Sequence, residues 1–246
     1  MNIIPKLISL LIIMTISNVT QANVEISKYI TKNGIKVLYS KSGNIPMIDI
    51  RITFDAGSNK DGDLKGISML THSLLDEGTS KMDAESIASV FESNGSVFNT
   101  SVNKDKSSIS LRSLTEKKYL NPSIKMFLSI LSDSVFPKNE TQLQKDRTLT
   151  SIVEDETDAA EVASSLFFKE IYSDYPYAYN TIGQKNTVKK ITRKDILNFY
   201  KKNINIGNAS IVIVSSLPKK EVIDISEKIS KSLNLTAKEN FEDKVL

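Results

Sequence analysis

His72 is the only imidazole in the chain, and there is no cysteine. These two facts bound the chemistry. A metal site built on two imidazoles of one chain is impossible. So are thiolate zinc sites, disulfides, thiol nucleophiles and iron–sulfur ligation. Any Ser-His-Asp arrangement has to be built on His72. Around it, residues 66–79 read GISMLTHSLLDEGT. Ile67, Leu70, Leu74 and Leu75 recur at helical spacing. Ser68, Thr71 and His72 then stand at i, i+3 and i+4, on one face of that helix. Threonine takes no proton near neutral pH, because its conjugate acid is far too strong. A neutral serine is a poor metal ligand beside an imidazole. A Ser68–His72 nucleophilic pair fits the spacing, but no third group or oxyanion donor can be assigned. The plain reading of His72 is a helix residue hydrogen-bonded to a neighbouring polar group.

The elements that must position this helix follow from periodicity. A strand is expected after the Asn33-Gly34 turn, over residues 35–39. Residues 47–54, MIDIRITF, alternate with period two and predict a half-buried strand. A polar turn around Ala56-Gly57-Ser58 leads to the His72 helix. A second helix spans 83–92 and ends at Asn94-Gly95. Strands 97–102 and 107–114 flank a charged turn and read as a hairpin. Asn121-Pro122 predicts a helix start, running to about residue 135. Helices follow over 140–156 and 160–172, the latter with Val162, Leu166, Phe167 and Ile171 on its apolar side. Thr192 caps a helix to about 202. Residues 209–215 form a buried strand, and 221–232 a closing helix. Strands first, then helices, then one strand and helix predict an α+β fold, helices over a largely antiparallel sheet.

The chain is 40% hydrophobic and 25% charged with a net charge of +3. That composition suits a globular domain. The lysine pairs at 189–190, 201–202 and 219–220 are separated and read as solvated faces, so no nucleic-acid partner is expected. Residues 1–22 carry one charge, Lys6, an apolar run, and Thr20-Gln21-Ala22 at the end. They read as a secretory signal peptide cleaved after Ala22, and the expected location is exported, most simply periplasmic. A membrane association is expected only if that leader stays uncleaved as an anchor. Residues 23–235 are then one domain, and 236–246 a charged linker or tail.

Several segments agree in order with one family. The segment 66–79 resembles the zinc-motif helix of insulinase/pitrilysin metallopeptidases. So do Asn33-Gly34-Ile35-Lys36-Val37, Phe54-Asp55-Ala56-Gly57-Ser58, Asn94-Gly95-Ser96, Asp174-Tyr175-Pro176-Tyr177 with Ile182-Gly183, and Ile191-Thr192 with Asp195-Ile196, each at its place in the family. The resemblance implies a half-unit of the mitochondrial-processing-peptidase type, with the second homologous domain absent. It also implies that Ser68, Thr71 and His72 occupy the positions of the first zinc ligand, the general base and the second ligand. The motif is therefore vestigial: no catalytic residue, no metal and no cofactor are expected, although the family uses zinc. Glu154 is the candidate for the distal acid, while the acid run 154–158 by itself reads as a solvated helix face. Tyr175 stands where the family often has histidine, and reads as an aromatic packed in a turn. The resemblance assigns Ser96, Val97, Phe98 and Asn99 to the edge strand that meets an extended peptide. Partners implied are a peptide in extended form and an active insulinase-family homologue. A non-enzymatic envelope peptide-binding module, and an active peptidase with altered ligands, are the other readings.

Overall fold

The computed structural model describes residues 25–43 and 45–233. The expected leader and tail lie outside the described residues. Six strands form one open sheet in the order β1-β2-β6-β3-β5-β4. They are β1 (Ile26–Ile30), β2 (Lys36–Lys41), β3 (Met47–Phe54), β4 (Val97–Val102), β5 (Ser107–Leu114) and β6 (Ala209–Ser215). Only the β2–β6 pair is parallel; the other four are antiparallel. The fold is α+β, as the order of elements predicts.

The eight α-helices among the described residues are α1 (Ile67–Ser73), α2 (Ala84–Ser93), α3 (Lys117–Asp133), α4 (Lys138–Asp155), α5 (Ala159–Tyr172), α6 (Lys185–Lys190), α7 (Arg193–Asn203) and α8 (Lys219–Ser232). Helices cover one face of the sheet. On that face β3 buries Ile48, Ile50, Ile52 and Phe54, flanked by Ile109 and Leu111 of β5 and Ile211 and Ile213 of β6. Burying each such side chain stabilises the fold by roughly 1.5–3 kcal/mol. The alternate residues, among them Asp49, Arg51 and Arg112, look out from the helix-free face. There Arg112 Nε donates to Asp49 at 2.6 Å.

One expectation is corrected, and two features go beyond the reading of the sequence. Helix α3 starts at Lys117, not at Asn121, and Pro122 lies inside it. Leu120 N–H already donates to Glu116 O at 2.9 Å. Leu120 is buried on the same stripe as Ile124, Phe127 and Leu131. That core contact draws the helix a turn upstream, at the cost of the one backbone donor proline lacks. The strand β1 and the short helix α6 are present although the sequence reading does not include them. The helix α5 is where the sequence places it, and its exposure is the further finding. Its apolar residues form a helical stripe, but no residue of α5 is buried. Leu166 is 63% and Phe167 61% exposed.

Candidate functional site

Helix α1, which carries Ser68, Thr71 and His72, is pinned at its start. Gly66 has φ +96, which glycine adopts freely. Asp61 reaches forward from the preceding turn, and its carboxylate accepts from Gly66 N–H at 2.7 Å and Ser68 N–H at 3.1 Å. These are two of the orphan donors of a helix N-terminus. Burial pushes the Asp61 carboxyl up to about 6, against the pull of those two N–H groups and of Lys65. Sequence reasoning missed Asp61. The signal available was an acid in the turn just ahead of a helix without its own capping side chain.

Ser68, Thr71 and His72 are all buried, His72 at 1% exposure. The side chains of Thr71 and His72 are turned back into the helix. Thr71 Oγ1 donates to Ile67 O at 2.7 Å. His72 Nδ1 lies 2.8 Å from Ser68 O. A carbonyl only accepts, so Nδ1 carries the proton and Nε2 keeps a bare lone pair. Burial pushes the imidazole down to about 4, although the bond to Ser68 O works the other way. It is neutral at physiological pH. Nε2 of His72 and Oγ of Ser68 are buried with no hydrogen-bond partner in the protein.

Zinc does not fit this donor set. The helix offers one imidazole and one serine hydroxyl, and Thr71 has its proton committed to the backbone. Among the described residues no three His, Cys, Asp or Glu side chains gather into a metal-binding group. Glu154 is exposed near the end of α4, whose buried side carries Thr141, Thr148 and Ile152. The helix α1 packs against α4, α7 and the strand β4.

β4 is the edge of the sheet and pairs only with β5. Ser96, just before it, is buried, and its hydroxyl bonds Ser123 Oγ at 2.7 Å. Val97 and Asn99 are exposed. Phe98 turns to the helix side and stacks on Phe91 with ring centroids 5.6 Å apart. The edge is thus anchored by alternate side chains while its outer backbone row has no strand beside it among the described residues. Tyr175 packs edge-on against Tyr177, 5.2 Å between centroids. Lys104, in the β4–β5 turn, donates to the carbonyls of Tyr177 and Tyr179 and lies 4.4 Å from the Phe168 ring centre. The edge hairpin and the tyrosine loop are therefore tied together.

The insulinase model, peptidase family M16, matches residues 36–185, and the chain belongs to that family. The crystal structure of a peptidase M16 inactive domain from Pseudomonas fluorescens superposes with a TM-score of 0.85 at 29% identity, over 88% of this chain and 52% of that one. A Helicobacter pylori protein named non-peptidase homolog YmxG is 24% identical over 80% of this chain and 45% of its own length. A Rickettsia bellii protein named an uncharacterized zinc protease is 24% identical over 89% of this chain and 52% of its own. The chain spans about half the length of the relatives it matches.

Proposed function

We propose that this chain is an exported, catalytically inactive insulinase-family subunit. It holds a peptide in extended form along β4 and works beside an active, zinc-bearing homologue. One observation supports the reading: the helix carrying Ser68, Thr71 and an inward-bonded His72 is capped and packed against an open edge strand, and offers neither a carboxylate base nor a second imidazole. Strand addition needs backbone groups, not catalytic side chains, so the loss of the motif leaves it intact. The likeness to an inactive M16 domain and to a non-peptidase homologue supports the same reading. The unit proposed is residues 23–235, with 1–22 as a cleaved leader to the periplasm and 236–246 as a linker.

The test mixes the purified chain with a homologue from the same genome that keeps the intact His-x-x-Glu-His motif. The chain alone cleaves no peptide. Added to the homologue, it raises chelator-sensitive cleavage, and β4 amides gain exchange protection when peptide is present. Stoichiometric zinc and chelator-sensitive cleavage by the chain alone would sink the proposal. Peptide protection of β4 without any effect on the homologue would favour the non-enzymatic binding module, to which the YmxG likeness also points.

A further inference from the structure

Residues 181–208 carry seven basic side chains and one acid, while the whole chain is only +3, so the rest of it is net negative. Two consecutive helices display that charge. On α6, Lys185, Lys189 and Lys190 are exposed around the buried Val188. Two residues later α7 begins. It buries Ile196, Phe199 and Tyr200, and turns Lys194, Lys201 and Lys202 outward. Lys194 and Lys201 stand two turns apart on the same side. Arg193 donates to the carbonyls of Val135 and Phe136, which are dipoles and leave its charge uncancelled. Lys145 reaches in from α4 and donates to Lys189 O at 3.0 Å and Ile191 O at 2.6 Å.

The one acid of this stretch, Asp195, is spent locally. Its carboxylate accepts from Thr192 N–H at 2.9 Å and from the Thr192 hydroxyl at 2.6 Å. The bond to Thr192, then the nearby Lys194 and Lys145, hold that carboxyl below its usual range. Lysines of α4 and α7 thus act on the same point. Among the described residues Lys185, Lys189, Lys190 and Lys202 form no ion pair.

The make-up of the face says what it suits. A protein interface is built around an apolar or aromatic centre and is depleted in lysine. No large apolar side chain between 181 and 208 is strongly exposed. Single-stranded nucleic acid asks for rings on which bases stack. The two aromatic residues of this stretch, Phe199 and Tyr200, are buried. What remains is a spread of lysines, compact point charges on flexible stems. They match a surface of mobile phosphates with no fixed pattern. Anionic lipid headgroups form such a surface and attract each lysine brought near it.

We propose that the α6–α7 face is a peripheral docking surface for an anionic phospholipid bilayer. It would hold the domain at a membrane without a spanning segment; among the described residues no helix is long and apolar enough to cross one. The proposal uses no residue of α1 or β4 and does not rest on the peptide-binding reading.

The test spins the full chain down with vesicles of one part phosphatidylglycerol to two parts phosphatidylcholine, and with phosphatidylcholine alone. It sediments with the first far more than with the second, and the excess falls steeply as salt is raised. An apolar leader would hold both kinds of vesicle alike, so the excess reports the basic face. Lys190→Gln with Lys194→Gln cuts the excess binding about tenfold or more. Lys219→Gln with Lys220→Gln removes the same charge at the start of α8, beyond the far end of β6, and leaves binding within about twofold of the parent. All four positions are exposed, so the fold tolerates the changes. No excess on the anionic vesicles overturns the proposal. So does an equal loss in both variants, which would make net charge and not this face responsible. So does retention of duplex DNA or polyglutamate by a chain that ignores the vesicles.

Discussion

Gly66 and Gly183 meet backbone to backbone. A Cβ on Gly66 would lie 2.6 Å from Ile182 O, and one on Gly183 would lie 2.7 Å from Gly66 Cα. Both have positive φ, +96 and +92. Thr187 Oγ1 adds a hydrogen bond to Lys65 O at 2.7 Å. The start of α1 is therefore held by a segment more than a hundred residues later.

Alanine at either glycine combines left-handed strain with a backbone clash. Each single substitution is expected to destabilise by about 2–4 kcal/mol. The double variant should cost less than the sum, because the first change already forces the two backbones apart. Denaturant melts of the three variants measure the coupling. Additive costs would mean that the glycines do not act as a pair.

His72 and Asp61 should give opposing pH dependences. His72 is held near 4 in the folded chain against an ordinary 6.5. Its contribution is full above 6.5 and is lost as pH falls through 4. Asp61 is held near 6 against 3.8. Its contribution is full below 3.8 and is lost as pH rises through 6. At about 1.4 kcal/mol per unit, each amounts to roughly 3 kcal/mol, and the two cancel over much of pH 4–6. Removing one exposes the other. Stability of His72→Leu should fall from pH 4 to 6, and that of Asp61→Asn should rise. Urea midpoints across that range check the crossed slopes.

Neither zinc nor a chelator should move the melting temperature. A ligand that binds only the folded chain stabilises it by mass action. With one buried neutral imidazole, and with the Asp61 carboxylate committed to two helix N–H groups, this helix offers zinc too little to register. A zinc-dependent rise in Tm that His72→Leu abolishes would contradict this.

Tyr200 ties two helices together. Its hydroxyl donates to Leu131 O at 2.6 Å, and its ring lies edge-on to Phe136. Tyr200→Phe keeps the packing and leaves the buried carbonyl without that donor. A loss of about 1–2 kcal/mol is expected, read from thermal or urea unfolding. No loss would mean that Leu131 O finds another donor.

The strand β3 is legible in the sequence because strict alternation reports which residues face a core; β6 is legible as a strand from its apolar run, but it is buried on one face only, with Val212 and Val214 exposed on the other. The order of elements gave the α+β layering. Periodicity failed where it had to. The stripe Val162, Leu166, Phe167 and Ile171 defines an amphipathic helix, but no pattern says on which side the rest of the molecule stands. Asn121-Pro122 is a sound local start signal that the burial of Leu120 overrides. The acid run 154–158 drew attention to Glu154, while the inner side of α4 is set by Thr141, Thr148 and Ile152, which carry no chemical signature. Ser68, Thr71 and His72 were legible as a set. The inward hydrogen bonds of Thr71 and His72 were not, since only three-dimensional burial decides whether a side chain turns to its own backbone.

Edge strands are usually guarded by lysine, proline or a bulge, which stop a sheet from growing into its neighbours. β1, ISKYI, has Lys28. β4, VFNTSV, has no such guard. An unguarded edge is a standing invitation to any extended chain, including another β4. If the proposed peptide does lie along β4, it also covers the row of backbone groups through which idle copies would otherwise stack edge to edge.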